Sequence, residues 1–171
     1  AADLEVIQKI CQKHNLVLIE DSAHCLGADY RGKKLGSFGK ASFFSFGRDK
    51  VISSVYGGLA VTNDQALAKK IEKYRDDLKY PSYLWVGQQL LHPLLSEILV
   101  KPLYGFFDLG RWLLLFLQRA KILSKAVHQR EKKGKKPNYL PRKMPQALAL
   151  LALNQLKKID KILLHQREIA E

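Results

Sequence analysis

Residues 16–24, Leu-Val-Leu-Ile-Glu-Asp-Ser-Ala-His, and residues 41–50, Ala-Ser-Phe-Phe-Ser-Phe-Gly-Arg-Asp-Lys, decide how this chain is read. Leu16-Val17-Leu18-Ile19 reads as a buried apolar strand and residues 41–46 as a second one. Each strand delivers polar side chains at its end. In an α/β protein ligands bind in the crevice outside the carboxyl ends of parallel strands. A carboxylate (Asp21), an imidazole (His24), a hydroxyl (Ser45) and a lone amine (Lys50) are therefore expected to share one pocket.

These four residue types suit pyridoxal phosphate. A lysine on a loop after a strand can attack the cofactor aldehyde and hold it as an imine, and Lys50 occupies that place. The pyridine ring withdraws electrons only while its nitrogen stays protonated, which calls for a buried carboxylate such as Asp21. The phosphate needs neutral donors as well as cations, and the phenolic oxygen needs a hydrogen-bond partner, roles open to Ser45 and His24. Duller readings stand beside each. Lys50 fits a solvated loop, Asp21 a helix N-cap, and Ser45 a small strand residue between Phe44 and Phe46. His24 beside Cys25 suggests a metal pair or a nucleophile dyad, but adjacent residues rarely aim at one ion, so no metal is expected.

The order Glu-Asp-Ser-Ala-His (20–24), Gly-Ser-Phe-Gly (36–39), Ser-Phe-Phe-Ser-Phe (42–46), Lys50, then Gly-Gly-Leu-Ala-Val-Thr-Asn-Asp (57–64) resembles the DegT/DnrJ/StrS sugar aminotransferases over most of residues 1–75. The resemblance implies the large domain of a fold-type-I transferase, a mostly parallel sheet with flanking helices. It implies that Asp21 pairs with the pyridine nitrogen, Ala23 packs on the ring, His24 meets the phenolic oxygen, Ser45 contacts the phosphate and Lys50 carries the cofactor. A related dehydratase branch has histidine at the lysine position, so Lys50 points to transamination. The implied reaction moves an amino group, from a donor such as glutamate, to a nucleotide-linked keto sugar for polysaccharide or amino-sugar synthesis. The implied assembly is a homodimer with a shared active site.

Departures limit the carry-over. Members usually show a small-Pro-Thr run before the lysine and a Gly-Glu pair before the double glycine, where this chain has Gly47-Arg48-Asp49 and Val55-Tyr56. An Asn-Tyr-Arg-Met segment, whose asparagine reaches the neighbouring subunit's cofactor, is replaced by Leu140-Pro141-Arg142-Lys143-Met144. Arg142 is the available substitute. Gly36-Ser37-Phe38-Gly39 lacks the lysine and hydroxyl of a P-loop and reads as a turn. Arg31-Gly32-Lys33-Lys34 reads as an exposed hairpin tip.

The 171 residues suffice for one domain's core, and 47% hydrophobic with 26% charged is a globular composition. Periodicity predicts a helix over 4–14, strands over 16–20, 28–35 (two short ones), 41–46 and 58–62, and a helix capped at Asn63-Asp64 and running to about 79. Residues 1–80 form the cofactor-binding part, 81–143 a hydrophobic and basic helical insertion, and 144–171 a long helix leading to a small domain. The chain opens without Met inside one helical pattern and stops inside another, so the resemblance implies a central span of a longer enzyme, a poor catalyst in isolation. Two cysteines, Cys11 and Cys25, offer no disulfide framework, and no signal peptide is seen, which points to the cytoplasm.

Residues 84–143 invite another idea. Prolines and charges interrupt the apolar run too often for a spanning helix of about 20 residues, but Trp85, Phe106, Phe107 and Trp112, followed by a lysine-rich stretch, suit an anionic membrane surface. The plainer alternative is helices packed on the large domain with solvated lysines. A net charge of +13 attracts polyanions generally, yet no nucleic-acid-binding motif is present, so specific nucleic-acid binding is not expected. A noncatalytic cofactor-binding relative and a peripheral membrane or polyanion-binding module remain the rival readings.

Overall fold

The computed structural model describes residues 2–125, 127, 130–137 and 140–170. Helix α1 (Leu4–Lys13) starts at Asp3, whose carboxylate accepts the Val6 N–H at 3.2 Å. Strand β1 (Ile19–Asp21) follows, then a two-stranded hairpin, β2 (Asp29–Tyr30) and β3 (Lys33–Lys34). Arg31 and Gly32 form its tip, both at positive φ (50° and 79°), as the tight mirror-image turn of a hairpin requires. Strand β4 (Ala41–Ser45) lies parallel to β1, with Asp21 opposite Phe43. Strand β5 (Gly58–Val61) runs antiparallel to β4, and the sheet order is β1-β4-β5. Helix α2 (Gln65–Asp77) is capped by Asp64, as expected, through the Leu67 N–H at 3.0 Å.

The second half is helical. Helix α3 (Tyr83–Leu95) is capped by Ser82 and continues through a π-type turn (Ser96–Val100) and a short 3-10 turn (Lys101–Leu103). Helix α4 (Leu109–Arg119) follows, and a 3-10 turn (Glu131–Lys133) leads towards α5 (Gln146–Leu156) and α6 (Ile159–Ala170). The long helix expected over 144–171 is thus two helices. The Lys158 N–H closes on the Gln155 carbonyl in a tightened last turn, and the next helix opens there. Periodicity hides this break because Ala152, Ile159 and Ile162 all serve one core. Glu171 lies outside the described residues, as do Ala126, His128, Gln129, Asn138 and Tyr139 of the basic stretch.

Among the described residues, two clusters of buried apolar side chains stand out. Phe46, Ile52 and Ala152 are buried together, with Leu26, Val51, Met144, Ile159 and Ile162 packed on them. This places the segment around Lys50 against α5 and α6. Val100, Leu117 and Leu123, with Leu95, Leu113 and Leu114, give the inserted helices a core of their own. No described helix is long and apolar enough to cross a membrane.

One sequence expectation is corrected. Leu16, Val17 and Ile19 do not form a buried strand: they are 59%, 65% and 60% exposed, and β1 begins only at Ile19. β1 has a neighbour, β4, on one side only. Apolar composition signals surface that a sheet can bury, and within the described residues nothing covers that side.

His92, on the inner side of α3, carries a pH prediction. Burial, with the nearby positive charge of Arg48, lowers its pKa from 6.5 to about 4. The unfolded chain therefore binds a proton in this range that the folded one refuses. The contribution of neutral His92 is complete above pH 6.5 and is lost as the pH falls towards 4. Urea midpoints measured from pH 7.5 to 4.5 should fall, and His92→Gln should flatten that part of the profile. An unchanged slope in the variant would refute the assignment.

Candidate active site

Lys50 sits on a turn closed by its own N–H, which donates to the Gly47 carbonyl at 3.2 Å. On one side Phe46 is hydrogen-bonded to Gly57 through its N–H (3.0 Å) and buried; on the other Ile52 is 1% exposed. The lysine stem is consequently held, and its side chain is only 12% exposed. Its Nζ lies 2.6 Å from His24 Nε2 and donates to the Asp49 carboxylate at 3.1 Å. That donation, then the residue's own backbone N–H, holds the Asp49 carboxyl below the usual carboxylate range.

A lysine ammonium has no lone pair, so towards it His24 accepts; towards a neutral amine, a protonated Nε2 donates. The pair can therefore pass one proton between two defined nitrogens. Asp21 and Ser45 end the two adjacent parallel strands β1 and β4, so both stand at the edge where this pair lies. The sequence-derived residues are brought to one edge of the sheet.

Their local settings differ from the simplest reading. Asp21 is exposed, not a buried carboxylate, because its strand is an edge strand in the described span. Nor is it a helix N-cap: turns follow, and its Oδ1 accepts the Ala23 N–H at 3.1 Å. This local turn bends the chain after β1 and brings Ala23 and His24 round the strand end. Ser45 Oγ accepts the Gly47 N–H at 3.3 Å, a similar turn that starts the Lys50 loop. Buried Ser22, between them in sequence, is structural: its N–H donates to the Phe43 carbonyl and its Oγ accepts from Ser42 Oγ, both at 3.0 Å.

Glu20 was not singled out in sequence, yet it organises the site from below. It is 8% exposed, and its carboxylate accepts the N–H groups of Gly36 (2.8 Å), Phe38 (2.7 Å) and Gly39 (2.7 Å). Gly36 reaches this arrangement with φ +92°, and a Cβ there would lie 2.5 Å from the Phe44 ring. The glycine loop is an anion cradle after all, but its anion is internal. An acidic residue in an otherwise apolar strand, ahead of a glycine-rich loop, was the signal available.

A concavity of about 1050 Å³ between β5, α2 and residues 140–144 is not lined by Lys50. Its charged lining is largely self-paired: Asp76 meets Arg75 at 3.1 Å and Lys143 at 3.1 Å. Arg142 lines this concavity beside Gly57 and Gly58.

The architecture is similar to that of part of the solved fold-type-I aminotransferases. Over 94% of the chain, the structure superposes on 31% of Helicobacter pylori PseC, an aminotransferase of pseudaminic acid biosynthesis, with a TM-score of 0.55 and 26% identity. Residues 1–78 match the profile of the DegT/DnrJ/EryC1/StrS aminotransferase family. The UDP-4-amino-4,6-dideoxy-N-acetyl-beta-L-altrosamine transaminase of Helicobacter pylori is 44% identical over 75 residues, 44% of this chain and 20% of the relative. The GDP-perosamine synthase of Caulobacter vibrioides is 45% identical over 73 residues, 43% of this chain and 20% of the relative. The chain thus spans about a fifth of the curated relatives it matches.

Proposed function

We propose that this chain is the lysine-bearing part of a pyridoxal phosphate-dependent aminotransferase that converts a nucleotide-linked keto sugar to an amino sugar, with glutamate as the amino donor. The observation that carries the reading is the Lys50–His24 contact at 2.6 Å on the edge where Asp21 and Ser45 end parallel strands. The donor set fits the cofactor: an amine for its aldehyde, a carboxylate for the pyridine nitrogen, an imidazole for the phenolic oxygen and a hydroxyl for the phosphate. Bound there, pyridoxal phosphate would supply an electron sink for a carbon that loses its proton.

The protein's own part is proton handling and placement. His24 Nε2 takes the proton that Lys50 Nζ must shed before the amine can act as a nucleophile. With the cofactor bound, Lys50 Nζ as a free amine would be the base that takes the substrate proton and returns it. Asp49, ionised, keeps a negative charge beside that nitrogen. The relatives' names, a UDP-sugar transaminase and a GDP-sugar synthase, support a nucleotide-sugar substrate. A homodimer with a shared site belongs to the same proposal.

The test is direct. The full-length protein, incubated with pyridoxal phosphate, reduced with borohydride and digested, should carry the label on Lys50. Label elsewhere, or none on folded protein, would overturn the reading. Labelling without half-transamination by any amino donor would favour a noncatalytic relative.

A second reading is compatible with the first and rests on α4. Leu109, Trp112 and Phe116 are 50%, 63% and 62% exposed at helical spacing, and Phe107 beside them is 95% exposed. Residues 81–143 hold twelve Lys or Arg against three acidic residues. An apolar stripe within a basic segment suits peripheral contact with an anionic bilayer, where each cation adds about 1 kcal/mol near the surface. Sedimentation with phosphatidylserine-containing liposomes should be strong and salt-sensitive. It should be lost on replacing Lys132, Lys133, Lys135 and Lys136 by alanine. Equal sedimentation of the variant would remove the proposal.

A further inference from the structure

The chain departs from the family pattern at three places, Arg48, Val55-Tyr56 and the inserted residues 81–143, and the fold brings all three together. The Arg48 guanidinium leaves the Lys50 turn and crosses to the insertion. Its Nη1 donates to the Ser124 carbonyl at 2.7 Å, and its Nη2 donates to Gln89 Oε1 at 3.2 Å and to Ser124 Oγ. Ser124 Oγ in turn donates to Gln89 Oε1 at 2.7 Å. Gln89 is wholly buried, and its amide donates to the Trp85 carbonyl at 3.3 Å. From the other end of the same loop, the Tyr56 ring lies 5.9 Å from the Arg48 guanidinium and packs edge-on to Trp85, centroids 5.3 Å apart.

A guanidinium presents its donors as a rigid planar fork, so two or three simultaneous bonds fix direction as well as distance. Burial of the Gln89 acceptor removes competing water and makes a lost partner costly. The loop between Phe46 and Gly57 is also held by Val51 and Ile52 in the core, by the Ser54 N–H on the Phe46 carbonyl at 3.1 Å and by Lys50 on His24. Arg48 adds a side-chain tie to the insertion two residues before Lys50. Val55, in the relatives' glycine position, adopts φ 71°, so the loop keeps a glycine-type bend although its residue is β-branched. The Lys50 loop thus has a glycine-type bend at Val55 and a guanidinium tie to the inserted helices.

We propose that Arg48 is a positioning residue: through Gln89 and Ser124, with Tyr56 and Trp85 alongside, it makes the inserted segment the support that sets Lys50 Nζ against His24. This rests on Lys50 being the cofactor lysine only for its catalytic meaning; the placement of the amine itself is measurable without cofactor.

The experiment uses the full-length protein and the variants Arg48→Lys, Gln89→Leu and Ser124→Ala, each checked for folding by circular dichroism. The first readout, on cofactor-free protein, is the rate at which acetic anhydride modifies Lys50 as a function of pH, followed by peptide mapping with Lys69 as internal reference. The second is the pH midpoint of the absorbance of bound pyridoxal phosphate. Arg48→Lys and Gln89→Leu should change the Lys50 rate at least threefold relative to Lys69 and displace the absorbance midpoint. Ser124→Ala, which removes only one hydroxyl and leaves the backbone acceptor, should do the same to a smaller extent. Folded variants with the wild-type pH profile of Lys50 would overturn the proposal. If Arg48→Lys and Gln89→Leu do not fold, Ser124→Ala alone decides, a wild-type profile counting against it. Failure of the wild-type protein to be labelled on Lys50 by pyridoxal phosphate and borohydride would instead sink the aminotransferase reading, and the acetylation profile would still judge the positioning.

Discussion

Lys50→Ala is expected to leave a folded protein that no longer retains pyridoxal phosphate after borohydride and that transaminates at least about 10²–10⁴-fold more slowly, the range for losing a positioned proton-transfer group. In the proposed reaction the effect is large because one nitrogen would have two tasks, holding the cofactor and moving the proton. Neither neighbour can take over. His24 is an imidazole that cannot form the same neutral imine, and Asp49 is an exposed carboxylate on the same turn. Lys50→Arg should be nearly as inactive, since a guanidinium does not deprotonate in proteins. Folding should survive both changes: the loop's anchors are Phe46, Ile52 and Arg48, and the lysine contributes only contacts to His24 and Asp49. Stopped-flow absorbance with glutamate and the wild-type protein sets the reference. Wild-type-like turnover by Lys50→Ala would sink the reading outright.

Glu20→Ala should be the most destabilising single change in the sheet. The substitution leaves three backbone N–H groups, those of Gly36, Phe38 and Gly39, without their anion. Each buried donor left without a partner costs about 1–3 kcal/mol, so a loss of about 3 kcal/mol or more is expected even if water recovers part of it. Glu20→Gln should cost less: its one carbonyl oxygen still accepts, while its NH2 faces an N–H. Urea unfolding of the two variants should therefore rank wild type, Gln, Ala. Equal midpoints for wild type and Glu20→Ala would show that the loop is not held this way. The consequence reaches the site, because the loop leads directly into β4 and hence to Ser45 and Lys50.

The sequence by itself offered Asp21, His24, Ser45 and Lys50 as candidates near strand ends, because their chemistry and spacing are local facts, and the resemblance added Ala23. It also foretold most elements, since a cap such as Asp64 and an apolar run such as that of residues 41–46 act over a few residues. The tertiary structure decided what depends on neighbours distant in the chain. It showed that the glycine loop of residues 36–39 holds Glu20, that Leu16, Val17 and Ile19 stay exposed with only Ile19 in the edge strand, and that the last helix breaks at Lys157-Lys158. It alone joined Arg48 to Ser124, 76 residues on, and to the buried Gln89. Periodicity reports which side of an element is apolar, but not which surface arrives to cover it. A polar side chain declares what it can bond, and only the packed chain chooses the partner, because burial makes every unpaired donor expensive.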